Sequence, residues 1–139
     1  MPSWNKLTFK FGSEWAPDSP YGLDVLQLQG DGRFQHENHL RGEVQTSSGK
    51  VEPATVDAVD QWLRTGGFPA VPAHDIPPGG SLVVLEVEDA SGSHTLYMDY
   101  FAALKFPGYG DLVRNFDKWT AWLRNGAAAE NAPPGFTRD

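Results

Sequence analysis

Apolar and polar residues alternate along five runs of this chain and recur at helical spacing along two others. The clearest alternation spans residues 82–88. There Val83, Leu85 and Val87 point one way and Glu86 and Glu88 the other. Residues 94–100 repeat it, with His94, Leu96, Met98 and Tyr100 on one face and Thr95, Tyr97 and Asp99 on the other. Between them Asp89-Ala90-Ser91-Gly92 supplies turn chemistry: an Asp that bonds nearby amides and a Gly that tolerates positive φ. The pattern predicts an antiparallel hairpin with one buried face.

An earlier stretch has the same order of parts. Leu26 and Leu28 share a face over residues 23–29, and Gly30-Asp31-Gly32 is a strong hairpin signal. The return is read as one long strand, residues 33–46, bent or bulged at Gly42, with a loop at 47–50. Phe34, His36, Asn38 and Leu40 share a face of it, so a buried His36 and Asn38 would need hydrogen-bond partners. Ahead of both units, Leu7, Phe9 and Phe11 alternate with Thr8 and Lys10. This is a first strand, and its outward Lys10 suits a sheet edge.

Two helices complete the pattern. In residues 111–125, Leu112, Phe116, Trp119 and Leu123 form one stripe, flanked by Val113 and Trp122. Arg114, Asp117, Lys118, Ala121 and Arg124 make the wet face, Asp111 caps the start and Gly126 ends the helix. Residues 54–64 follow Pro53 and turn Val56, Val59, Trp62 and Leu63 inward before Gly66-Gly67 stops them. The expected fold is α+β: an antiparallel sheet of about five strands with two helices on one face. The echo of Trp62-Leu63-Arg64 in Trp122-Leu123-Arg124 makes a ββα–ββα duplication a candidate origin. Residues 1–126 form the single domain, and residues 127–139 read as a flexible tail.

Composition narrows the function classes. The chain has 139 residues with five Trp, eight Phe and four Tyr, enough for one aromatic-rich core, and no Cys for disulfides or thiolate chemistry. Net charge is −7, with nine acidic residues against six basic over 1–70 and nine against five over 71–139. That balance argues against nucleic acid and anionic membranes and favours, if anything, a basic protein partner. The N-terminus has no signal-peptide pattern and no run approaches a membrane span, so a cytoplasmic protein is expected.

No specific catalytic motif is present. His36 and His39 point to opposite faces of a strand and share no ion there, and no metal or cofactor is expected. His74-Asp75, inside the Pro/Gly-rich loop 68–80, is half of an acid–base pair without an evident nucleophile. Trp15, in a loop with Pro17 and Pro20, has two readings. The first and preferred one is a plug folded back on the core; the second is an anchor for a partner. The apolar loop 101–110 is expected to pack under the second helix.

The run Leu26-Gln27-Leu28-Gln29-Gly30-Asp31-Gly32-Arg33-Phe34, a polar return strand, a Pro-led helix ending in Gly and Phe68, then a second hairpin and helix, resembles uncharacterised bacterial hairpin–helix repeat domains over residues 20–125. The resemblance implies an α+β fold and brings no activity. The shape is also similar to small inhibitor and immunity proteins, at the level of fold alone. The leading reading is a non-enzymatic protein-binding domain of inhibitor or immunity type. Its named contact residues are Trp15, Tyr21, His74, Tyr97 and Tyr109. The alternatives are a small hydrolase or ligand-binding domain with a pocket near loop 68–80, and a homodimer paired through sheet edges or faces.

Overall fold

A computed structural model of the chain describes residues 4–13, 15, 21–78 and 81–139. The expected α+β class holds, with more strands than the alternation revealed. Among the described residues seven strands form one antiparallel sheet in the order β6-β5-β1-β2-β3-β4-β7. They are β1 (Trp4–Gly12), β2 (Leu23–Gln29), β3 (Arg33–Leu40), β4 (Glu43–Val51), β5 (Leu82–Asp89), β6 (Gly92–Asp99) and β7 (Phe136–Arg138). Three α-helices are present among the described residues, α1 (Pro53–Gly66), α2 (Tyr100–Ala103) and α3 (Tyr109–Arg124), and a 3-10 turn spans Ala129–Asn131.

β1 is central, not an edge: it pairs with β2 on one side and β5 on the other. Lys10 faces outward as expected and Lys6 does so too, and each meets a glutamate of β5, at 3.2 Å in both cases (Lys10–Glu86 and Lys6–Glu88). Their charge is matched across the strand pair rather than guarding an edge.

The residues taken for one bulged strand are two strands. Leu40 pairs with Glu43, so Arg41 and Gly42 are a two-residue turn, and both have positive φ (50° and 87°). That is the hairpin geometry that matches strand twist. An Arg in the left-handed region is uncommon, so the turn carries no Asn-Gly or Asp-Gly signature. Residues 47–50, expected as a loop, continue β4. Gly49 is required there by close approach: a Cβ on it would lie 2.8 Å from the Phe34 ring and 2.1 Å from the Thr137 carbonyl.

The C-terminal stretch is no loose tail. β7 pairs with β4 over three residues, and Phe136 is buried against Phe34, Trp119 and Trp122, with ring centroids 5.4, 4.8 and 5.9 Å away.

One face of the sheet is covered. Leu7 and Phe9 of β1, Leu26 and Leu28 of β2, Val83, Leu85 and Val87 of β5, and Leu96 and Met98 of β6 bury under the two long helices. α3 contributes Leu112, Val113, Phe116, Trp119 and Leu123. Phe116 meets Phe9 edge-on at 5.2 Å, and Trp62 of α1 meets Trp119 at 6.1 Å. Each such aliphatic or aromatic side chain contributes roughly 1.5–3 kcal/mol by leaving water.

Topology bears on the candidate duplication. β2 and β5 both run antiparallel to β1 and are therefore parallel to each other. From β2 the hairpin steps to β3 on one side, and from β5 it steps to β6 on the other. The helices of both units cover the same face. Taken from β2 and β3, the first unit is the mirror arrangement of the second. The hairpin that runs directly into α1, however, is β3–β4, and β3 runs opposite to β5. A two-fold axis normal to the sheet therefore carries β3–β4 onto β5–β6, a strand topology compatible with the duplication. The shared Trp-Leu pair reflects a shared task, since Leu63 and Leu123 both enter the core.

Candidate functional site

The open face of the sheet is graded. Toward one end it is polar: Ser93, Glu88, Lys6, Gln29, Arg33 and Lys50 follow one another across the strands. Two rows further along apolar side chains enter among the polar ones. One row reads Tyr97, Val84, Lys10, Val25, Glu37 and Thr46. The next sets Leu82 beside Asp99, and Leu23 and Val44 on either side of His39. Tyr97 is 55% exposed, Val44 51% and Leu82 39%, while Val84, Val25 and Leu23 are half-buried by their neighbours.

Trp15 extends this apolar end. It is 67% exposed, so the expected plug is not what forms, and the side chain stands outside the core. Its ring lies beside the Arg41-Gly42 turn, where a Cβ on Gly42 would sit 3.5 Å from it. Pro17 and Pro20 of the same loop fall outside the described residues.

The other residues named from the sequence divide sharply. Tyr97 is where the alternation put it, on the open face. Tyr21 is exposed, but its ring lies 4.5 Å from the Arg124 guanidinium and its carbonyl accepts from Asn38 Nδ2 at 2.7 Å. Tyr109 is not on a loop surface. It opens α3 and is fully buried, with its hydroxyl donating to the Ala70 carbonyl at 2.6 Å and its ring against Gly66. Burial pushes its phenol up to about 12. Loop 101–110 packs as expected except at Phe101, which is 65% exposed.

His74 serves as a strut. Its Nε2 accepts the Asp99 backbone N–H at 3.0 Å, which leaves Nδ1 to donate to the Pro72 carbonyl at 2.8 Å. The two partners together fix the neutral Nδ1–H tautomer. Phe106 meets the ring edge-on at 5.0 Å. Asp99, for its part, caps α2 by accepting from the Ala102 amide at 3.0 Å. His74 and Asp99 do meet, but through hydrogen bonds that pin the Pro-rich loop to the end of β6, not in an acid–base arrangement.

Under the helices lies a polar cluster that the alternation half-disclosed. His36 and Asn38 are buried on the covered face, and both find a partner in Asp24 of β2. His36 Nε2 donates to Asp24 Oδ1 at 2.9 Å, and Asn38 Nδ2 donates to the same oxygen at 3.0 Å. Arg124 Nη1 donates to Asp24 Oδ2. Arg124 therefore leaves the wet face expected of it. Its side chain is only 16% exposed, and its Nε is buried with no acceptor among the described residues. Asp24 has the same parity as Leu26 and Leu28, so its inward orientation was readable. Its partner Arg124 was not, because a long side chain at a helix end can turn either way.

Among the described residues no group of three or more His, Asp or Glu side chains is placed to hold a metal ion. No helix among them is long and apolar enough to cross a membrane. No protein-family model matches the chain, and no curated protein matches it in sequence.

Proposed function

We propose that this protein is a small protein-binding domain of inhibitor or immunity type, docking its partner on the apolar end of the open sheet face. One observation carries the reading. Tyr97, Val44, Leu82 and Trp15 are all substantially exposed at one end of a sheet whose opposite face is covered by the two long helices over β6 to β3. Exposed aromatic and aliphatic side chains on a rigid element are what interfaces use, and here they are spread along that end of the sheet from β6 to β4. The partner is a folded protein with a basic rim, which the net charge of −7 and the flanking Glu37 and Asp99 favour. Binding requires no cofactor.

Site-specific photo-crosslinking in the native host tests this. A photoreactive side chain at Tyr97 or at Val44 is expected to yield one discrete adduct, and the same group at Lys118, on the exposed side of α3, none. An adduct of twice the chain's mass would identify the partner as a second copy. Adducts from Lys118 alone, or none from either face position, would remove the reading.

A further inference from the structure

A second surface feature lies on the covered side of the sheet, where α3 stops short of the β4 edge. β7 pairs with β4 only over Gly49–Val51, with one more bond from the Asp139 amide to the Ser48 carbonyl. Residues 43–47 run past it. The gap between this stretch and the end of α3 is a groove of about 300 Å³. His36, Gln45, Ser47, Leu123, Arg124 and Arg138 line it. Its volume is at the small end of ligand sites.

The lining is rich in hydrogen-bond donors. Two guanidinium groups, a carboxamide and a hydroxyl border the groove. Arg138 spends one nitrogen on the Gly126 carbonyl, at 3.1 Å, and guanidinium has five N–H groups. The nearby carboxylate, Asp24, already has its charge matched by Arg124 on one oxygen, while His36 and Asn38 occupy the other. It cannot neutralise Arg138 as well. The Arg124 Nε–H is buried without an acceptor, and a buried donor left open is uncommon. In a chain of net charge −7, this local concentration of cationic donors stands apart.

We propose that this groove binds a small oxyanion, a carboxylate or a phosphate, between Arg124 and Arg138, with Gln45 and Ser47 supplying further donors. Charge-assisted bonds from two guanidinium groups give carboxylates and phosphates both affinity and orientation. The site is separate from the open face and independent of whatever docks there.

Amide NMR titrations of the full chain test it, with acetate in one arm and inorganic phosphate in the other, at ionic strength held constant with chloride. Saturable shifts at Gln45, Ser47 and Arg138 are expected in at least one arm, and the arm that saturates distinguishes the carboxylate source from the phosphate one. Arg138→Gln and Gln45→Glu, both at exposed positions, should each weaken binding by about tenfold, the worth of one charge-assisted bond. Arg33→Gln, on the open face, should leave it unchanged. Linear, non-saturating shifts in both arms, or equal affinity in wild type and both groove variants, would overturn the proposal.

Discussion

Arg124 and Asp24 stand a hundred positions apart in the chain, and the ion pair between them ties the end of α3 to the second strand of the sheet. Asp24 is also the acceptor for His36 and Asn38, so one carboxylate satisfies three side chains from two other elements. Arg124→Met leaves that carboxylate buried with only its imidazole and amide partners. Removing one member of a buried pair costs about 3–5 kcal/mol. The Asp24→Asn, Arg124→Met double variant should be destabilised by clearly less than the sum of the two single changes. Denaturant unfolding of all four proteins gives the coupling; strict additivity would show that the pair is not acting as a unit.

His74 predicts a local effect rather than a global one. His74→Ala removes the acceptor of the Asp99 amide and the donor to the Pro72 carbonyl. A stability loss of about 1–3 kcal/mol is expected from the stranded amide and lost contacts. The sharper readout is hydrogen exchange, in which the Asp99 amide and residues 71–78 should lose protection while β1 and β5 keep theirs. Unchanged exchange at Asp99 would show that the strut does not hold the loop.

Tyr109 sets an alkaline limit. Its phenol is held up to about 12 by burial, above its ordinary value of 10.0. Between these two values the folded chain holds a proton that the unfolded chain has released, so stability falls as pH rises through that window and is unaffected below it. Tyr109→Phe should flatten this part of the stability profile. At neutral pH it should cost about 1 kcal/mol for the lost bond to the Ala70 carbonyl. An unchanged alkaline slope in the Phe variant would assign the loss to other groups.

The C-terminal strand predicts that the last residues stabilise the whole domain. Phe136→Ala removes a ring packed against Phe34, Trp119 and Trp122 and should cost about 3–5 kcal/mol. Gly49→Ala should give a related loss by unseating β7 from the Thr137 side. Thermal unfolding within a degree of wild type for Phe136→Ala would mean that the segment is peripheral.

The sequence was most readable where burial is one-sided and long. β5, β6 and the inner stripe of α3 follow from period alone, because each has one wet and one dry face, and Tyr97 was placed on the open face by the same alternation. Legibility failed where a tertiary partner, not periodicity, decides. β1 is central because Leu7 and Phe9 pair with buried Val87 and Leu85 of β5, and Glu86 and Glu88 of that strand answer its outward lysines. β4 resembles a polar loop because its inward positions are Gln45, Ser47 and Gly49, the last of them small so that Phe34 fits. Phe136 is a lone aromatic in a polar, Pro-containing stretch, and three residues of strand leave no period to detect. Tyr109 sits where a loop meets a helix, and its burial follows from Gly66, on another helix, offering no side chain against it. Trp15 went the other way: the general tendency of Trp to bury gave the wrong expectation for a loop held beside a glycine turn.

The open-face reading stands or falls on one affinity comparison. The partner recovered by crosslinking at Tyr97 is purified and titrated calorimetrically against wild type, a Trp15→Ala, Tyr97→Ala double variant, and Lys118→Ala, on the exposed side of α3. Both substituted surfaces are exposed, so all three proteins should unfold at similar temperatures. The account predicts that the double variant loses about a hundredfold in affinity or more, as for two interface anchors, while Lys118→Ala binds like wild type. Equal affinity for wild type and the double variant would contradict it and return the open face to being bare sheet.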